Sequence, residues 1–158
     1  MSEFKVPKEK ASVLVCMPPH APEAHFVFLS AFAQSHHGAE TPADIFNVTQ
    51  PFLPLFQAEG SVLLARRDSI AWVQVADAAA KEWYYYETRA GIPDAPVRVE
   101  FDNAAHLDGR IALIGPIGGQ RVADVVNREE GFLHLERGEE LFLVNLRRVN
   151  AITVREER

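Results

Sequence analysis

Ala43-Asp44-Ile45-Phe46-Asn47 and Ala123-Asp124-Val125-Val126-Asn127 lie 80 residues apart, with Ala, Asp and Asn at matching places. The reading of the fold turns on this pair. The offset of 80 persists to Phe52-Leu53 against Phe132-Leu133, and to Leu55 against Leu135. One residue is then dropped. Val62-Leu63-Leu64 falls on Leu141-Phe142-Leu143, and Ile70–Val75 falls on Val149–Val154, both at offset 79. Upstream, Val13–Met17 matches Val97–Phe101 and His25–Leu29 matches Gly109–Leu113, both at offset 84. A self-match held at fixed spacing is the mark of a structural unit used twice.

The second copy is the easier to read. Val97-Arg98-Val99-Glu100-Phe101 alternates apolar and charged, the period of a half-buried strand. A turn is expected from Asp102-Asn103 to Asp108-Gly109, then a strand over Arg110–Ile114. Gly115-Pro116-Ile117-Gly118-Gly119 breaks the chain, and it lacks the Lys-Ser/Thr of a phosphate loop. Arg121–Val126 reads as a short helical turn with Asn127 as its C-terminal cap. Gly131–Glu136 alternates again, and Glu140–Val144 and Val149–Val154 are expected to form a hairpin around Asn145–Arg148. In the first copy Thr41 and Pro42 supply an N-cap and a first helical residue, and Phe52–Phe56, Ser61–Ala65 and Ile70–Val75 are the last strands. Val13–Met17 and Phe26–Leu29 are apolar on both faces, which points to cover on the outer face as well.

The expected class is therefore all-β and mainly antiparallel: two tandem small bent sheets or partly open barrels, each with a short helical turn. Residues 1–10 form a polar segment, 11–76 the first unit, 77–96 a connector, and 97–155 the second unit. The connector opens with the helix formers Ala78-Ala79-Ala80-Lys81-Glu82, continues through Trp83-Tyr84-Tyr85-Tyr86, and ends in the breaker-rich Gly91–Pro96.

Bulk properties narrow the function. The chain has 158 residues, a net charge of −6 and a pI near 5.5, which argues against a protein that coats nucleic acid. Cys16 is the single cysteine, so no internal disulfide can form. The longest apolar stretch, Phe26–Ala33, is too short to span a bilayer. The mixed-charge N-terminus has no apolar signal core, so a cytoplasmic protein is expected.

Val97–Phe101, Leu107-Asp108-Gly109-Arg110-Ile111, Asp124-Val125-Val126-Asn127, and Leu141–Val144 followed by Val149–Val154 resemble the Sm-like fold. Each half shows this order of motifs. In that family the Asp-x-x-Asn loop contacts RNA bases and subunits join edge to edge. The resemblance implies a small bent barrel, with RNA as a candidate partner.

Three sets of residues could carry chemistry. Asp44 with Asn47, and Asp124 with Asn127, could present an acceptor and an amide to a ligand. They could equally offset a helix dipole and cap its end. Arg66-Arg67 and Arg147-Arg148 fall at equivalent hairpin tips, where guanidinium pairs can grip phosphate or simply guard strand edges. His20, His25, His36 and His37 could hold a metal, or be solvated loop residues. No catalytic or cofactor signature is present. The leading expectation is a non-catalytic binding or scaffold protein with a protein partner or self-association, such as a homodimer. An RNA-binding protein using the arginines comes second, and a metal-dependent enzyme using the histidines third.

Overall fold

The computed structural model describes residues 8–155, so most of the polar N-terminal segment lies outside the described residues. The first half comprises β1 (Lys8–Cys16), β2 (Glu23–Ser30), α1 (Pro42–Phe46), β3 (Phe52–Phe56), β4 (Val62–Arg66) and β5 (Trp72–Val75). Two short helices follow, α2 (Ala78–Lys81) and α3 (Trp83–Arg89). The second half comprises β6 (Asp94–Phe101), β7 (His106–Ala112), α4 (Val122–Arg128), β8 (Phe132–Arg137), β9 (Glu140–Asn145) and β10 (Val149–Val154). A 3₁₀ turn precedes β5 at Arg67–Ser69 and another precedes β10 at Leu146–Arg148. No helix of the described residues is long and apolar enough to cross a membrane.

All ten strands of the described residues belong to one antiparallel sheet, in the order β10-β6-β7-β8-β9-β5-β1-β2-β3-β4. The sheet is not closed into a barrel: β10 and β4 are its two open edges. Within the halves the order is β5-β1-β2-β3-β4 and β10-β6-β7-β8-β9. The ladders match residue for residue. Val13 pairs with Val75 and Val97 with Val154. Phe26 pairs with Phe56 and Arg110 with Glu136. Leu53 pairs with Ala65 and Leu133 with Val144.

Several expectations are corrected. Asp108 and Gly109 lie inside β7 and pair with Arg98 and Val97, because the chain turns earlier, near Asn103 and Ala104. Val149–Val154 does not form a hairpin with Glu140–Val144. β9 pairs with β8 and β5, whereas β10 pairs with β6. The 3₁₀ turn redirects the chain from one side of the half to the other. Asn127 does not end its helix, which runs to Arg128 with Glu129 as cap. On β1 and β2 burial alternates, the outward residues being half-covered where they have any cover. Cys16 and Trp72 find theirs in the second half, against its core.

The two halves share their cores. The core of the first half, built on Val13, Val15, Phe46, Leu55, Ile70 and Val73, also takes in Ala112, Phe132, Leu141 and Leu143 from the second. The second core, built on Val97, Val99, Phe101, Ile111 and Leu135, takes in Ala71 from the first. The link is the β5–β9 ladder, with Trp72, Val73 and Gln74 opposite Val144, Leu143 and Phe142.

Polar side chains lock this seam. The Asn47 amide group donates to the Phe132 carbonyl (3.3 Å) and its oxygen accepts from the Phe132 N–H (2.7 Å). Gly131 makes that approach possible. Its φ is +110°, and a Cβ there would come 2.6 Å from Asn47 Oδ1. Asn145 donates to the Ile70 carbonyl (2.9 Å), and Arg148 to the Ser69 carbonyl (3.1 Å). Replacing Asn47 with Ala leaves the buried Phe132 N–H without its acceptor. This should lower the unfolding free energy by about 1–3 kcal/mol in urea denaturation. Asn127→Ala, at the matching place on α4, should change it by less than about 0.5 kcal/mol.

Candidate functional site

The seam provides a template for reading the two open edges. At the seam, Phe132, Leu141 and Leu143 are 4%, 0% and 0% exposed. They enter a groove between α1 and β5 walled by Phe46, Ile70 and Val73, and the Phe46 and Phe132 rings stand 5.6 Å apart. The residues matching them in the first half, at offsets 80 and 79, are Phe52, Val62 and Leu64. These are 44%, 48% and 63% exposed on the β3–β4 edge. The groove has its own match between α4 and β10. There Val122, Val126, Leu146, Val149 and Ile152 line a depression of about 450 Å³, with Asn127 at its side. One open edge thus carries exposed apolar side chains, and the other carries an apolar groove.

The Asp-x-x-Asn residues serve the fold. Asp44 accepts from the Thr41 N–H at the start of α1 (2.8 Å), and Asp124 from the Arg121 N–H at the start of α4 (3.1 Å). Asn47 bridges the seam, and Asn127 donates to the Ala123 carbonyl (2.7 Å) beside the α4–β10 groove.

The four arginines do not stand on hairpin tips. Arg66, at the end of β4, lies 4.5 Å over the Phe52 ring. The other three sit in the 3₁₀ turns, which meet across the seam. Arg67 donates to the Val48 carbonyl, and Arg147 lies 3.7 Å from Asp68. Arg148 makes a two-pronged pair with Asp102 at 2.7 and 2.9 Å. That carboxylate falls below its usual pKa because Arg148 hydrogen-bonds it.

The histidines are dispersed. His20 and His37 are exposed, whereas His25 is buried in β2 with Glu23 at 3.8 Å. Among the described residues no group of three or more His, Cys, Asp or Glu is arranged to hold a metal ion. His36 has a defined place: its Nε2 is 2.8 Å from Asp44, its Nδ1 is 3.0 Å from the His37 carbonyl, and its ring stacks on Tyr84 at 4.0 Å. Cys16 is half-buried, and burial pushes its thiol pKa up, away from thiolate chemistry.

The groove and the matching exposed side chains were not identified as a site from the sequence. The signal was present in the self-match, since Leu64 and Leu143 share one position. What the sequence lacks is which copy of each strand has a neighbour.

His36 gives the chain a pH dependence of known sign. Burial lowers its pKa, but the bonds to His37 and Asp44 and the charges of Asp44 and Glu82 outweigh that and hold it above the usual value. A raised folded-state pKa means that this stabilisation is complete below the ordinary histidine value, about 6.5, and is lost as pH rises through the higher folded value. Melting temperature followed against pH should therefore fall over that window in the wild type. The fall should be smaller in His36→Gln.

Comparison of the chain with protein-family models, with curated proteins and with solved structures finds no match.

Proposed function

We propose that this chain is a non-catalytic scaffold that joins copies of itself head to tail, the β4 edge of one copy entering the α4–β10 groove of the next. One observation carries the reading. The side chains that fill the inner groove have exposed counterparts at one open edge, and that groove has an unfilled counterpart at the other.

The inner ladder supplies the register. Carried over by the same offsets, Ala65, Leu64 and Leu63 of one copy would oppose Ala151, Ile152 and Thr153 of its neighbour. Phe52, Val62 and Leu64 would then lose their exposed area to the groove, and apolar burial of this kind drives association. Asn127 takes the place of Asn47 but does not repeat its bridge, because Pro51 stands where Gly131 does and a Cβ at that place meets the asparagine oxygen. Because the two surfaces differ, the contact is heterologous, and repetition yields a ring or a filament rather than an isolated symmetric pair. The reading takes nothing from Arg67, Arg147 and Arg148, which are engaged within the chain.

Two variants on exposed positions test it by sedimentation or light scattering. Leu64→Glu spoils the inserting edge, and Ala123→Arg blocks the groove. Each alone should weaken association roughly tenfold to a hundredfold, the value of one buried aliphatic side chain. Mixed together, they retain one good surface each and should form a one-to-one dimer. Wild-type protein that stays monomeric at high concentration, or a mixture that gives no dimer, would overturn the reading.

A further inference from the structure

A second feature lies on the same face as α1 but does not depend on assembly. The loop before α1, α1, α3 and β8 border an open cavity of about 440 Å³, within the range of small-molecule sites. Its wall is unlike the rest of the surface. His36 stacks on Tyr84 (4.0 Å, 6° between planes) and Tyr85 stacks on His134 (4.0 Å, 9°). Both imidazoles are held by carboxylates that line the same cavity, His36 by Asp44 at 2.8 Å and His134 by Glu82 at 2.6 Å. Glu82 is fully buried and is fixed from its other oxygen by the Ala43 N–H (2.7 Å). The stacks are therefore rigid, and Tyr84 remains 41% exposed.

The charge balance of the lining selects the occupant. No lysine or arginine lines the cavity. Asp44 and Glu82 are each hydrogen-bonded to an imidazole. Glu129 and Glu130 also line it, are exposed, and make no ion pair among the described residues. Arg128, next in sequence, lies beside the cavity without lining it, its guanidinium taken up by the Ile114 and Gly119 carbonyls at 2.7 Å. The cavity thus combines the exposed aromatic surface of Tyr84 with two exposed carboxylates that make no ion pair among the described residues. Tyrosine faces attract cations, and a concave wall of one sign of charge concentrates the opposite sign.

We infer that this cavity binds a small organic ammonium ion with a flat apolar body. The body lies against the exposed ring of Tyr84, beside the edge of Tyr85, and the ammonium points to Glu129 and Glu130.

Calorimetric titration with three probes of one shape separates the parts of the claim. 2-Phenylethylammonium should bind saturably. 2-Phenylethanol, which keeps the ring and loses the charge, should bind about tenfold more weakly or worse, as expected for loss of a charge-assisted contact. 3-Phenylpropanoate should not bind. The double variant Glu129→Gln/Glu130→Gln changes only exposed side chains and should weaken the ammonium probe about tenfold, with its melting curve unchanged. In the wild type, the ring-proton NMR signals of Tyr84, Tyr85 and His134 should shift along the same titration. Equal affinity for the alcohol, an undiminished double variant, or no saturable binding would each overturn the inference. None of these outcomes bears on head-to-tail joining, and a monomeric chain that binds the ammonium would leave this site standing.

Discussion

The fold depends on the burial of Phe132, Leu141 and Leu143 of the second half in the core of the first. The ladder beside them is short, Trp72 to Gln74 against Val144 to Phe142. Burying three such side chains is worth about 1.5–3 kcal/mol each, and an ordinary domain is stable by only about 5–15 kcal/mol in total. Without its neighbour, the groove between α1 and β5 would open Phe46, Ile70 and Val73 to water. The halves are two units in their pairing but one unit in their core. The 3₁₀ turns, Asn47 and Asn145 accordingly make their hydrogen bonds across the seam.

The connector reinforces that seam through polar contacts. Glu82 has no exposed surface, and an unpaired carboxylate in such a place would be strongly destabilising. It is tied on one side to the Ala43 N–H of α1 and on the other to His134 of β8, so one buried side chain bridges both halves. Trp83 donates to the Ala39 carbonyl, Tyr85 to Glu136, and Arg89 pairs with Asp94 and Glu136. The aromatic run from Trp83 to Tyr86 therefore packs across the join as well as lining a cavity.

Much of this was legible in the sequence. The period-2 alternation of Val97–Phe101 and Phe132–Glu136 gave true strands, and the offsets of 84, 80 and 79 recur in the ladders. The helical character of the Asp-x-x-Asn segments was readable from Thr41, Pro42 and the first-turn acids. What could not be read was which strands are neighbours across halves. Glu140–Val144 and Val149–Val154 look like a hairpin in any local reading, because nothing near Asn145–Arg148 records that β9 is held by β5. The same blindness placed Arg66, Arg67, Arg147 and Arg148 on exposed tips. Three of them lie in turns whose partners, Val48, Asp68 and Asp102, are far away in sequence. The His134–Glu82 pair was missed for the same reason.

Matched positions at the seam and at the open edges differ mostly in one direction. Phe52 and Leu64 keep the residues of Phe132 and Leu143. At several others the open side is smaller, with Val126 for Phe46, Val62 for Leu141, Ala151 for Trp72 and Leu63 for Phe142, whereas Ile152 for Val73 and Pro51 for Gly131 are larger. The polar pair Gln74–Glu140, 2.9 Å apart across the seam, is matched by Thr153 and Ser61. Open edges are usually guarded by charge, proline or a bulge. Here the guard is light: an irregularity in β10 between Val149 and Ala151, and Arg66 over Phe52. Less area on one register means less stabilisation per contact. An outer junction of the same geometry would therefore form and dissolve with concentration, whereas the inner one is fixed by the fold. The smaller residues that distinguish the edges from the seam are what would keep such an association reversible.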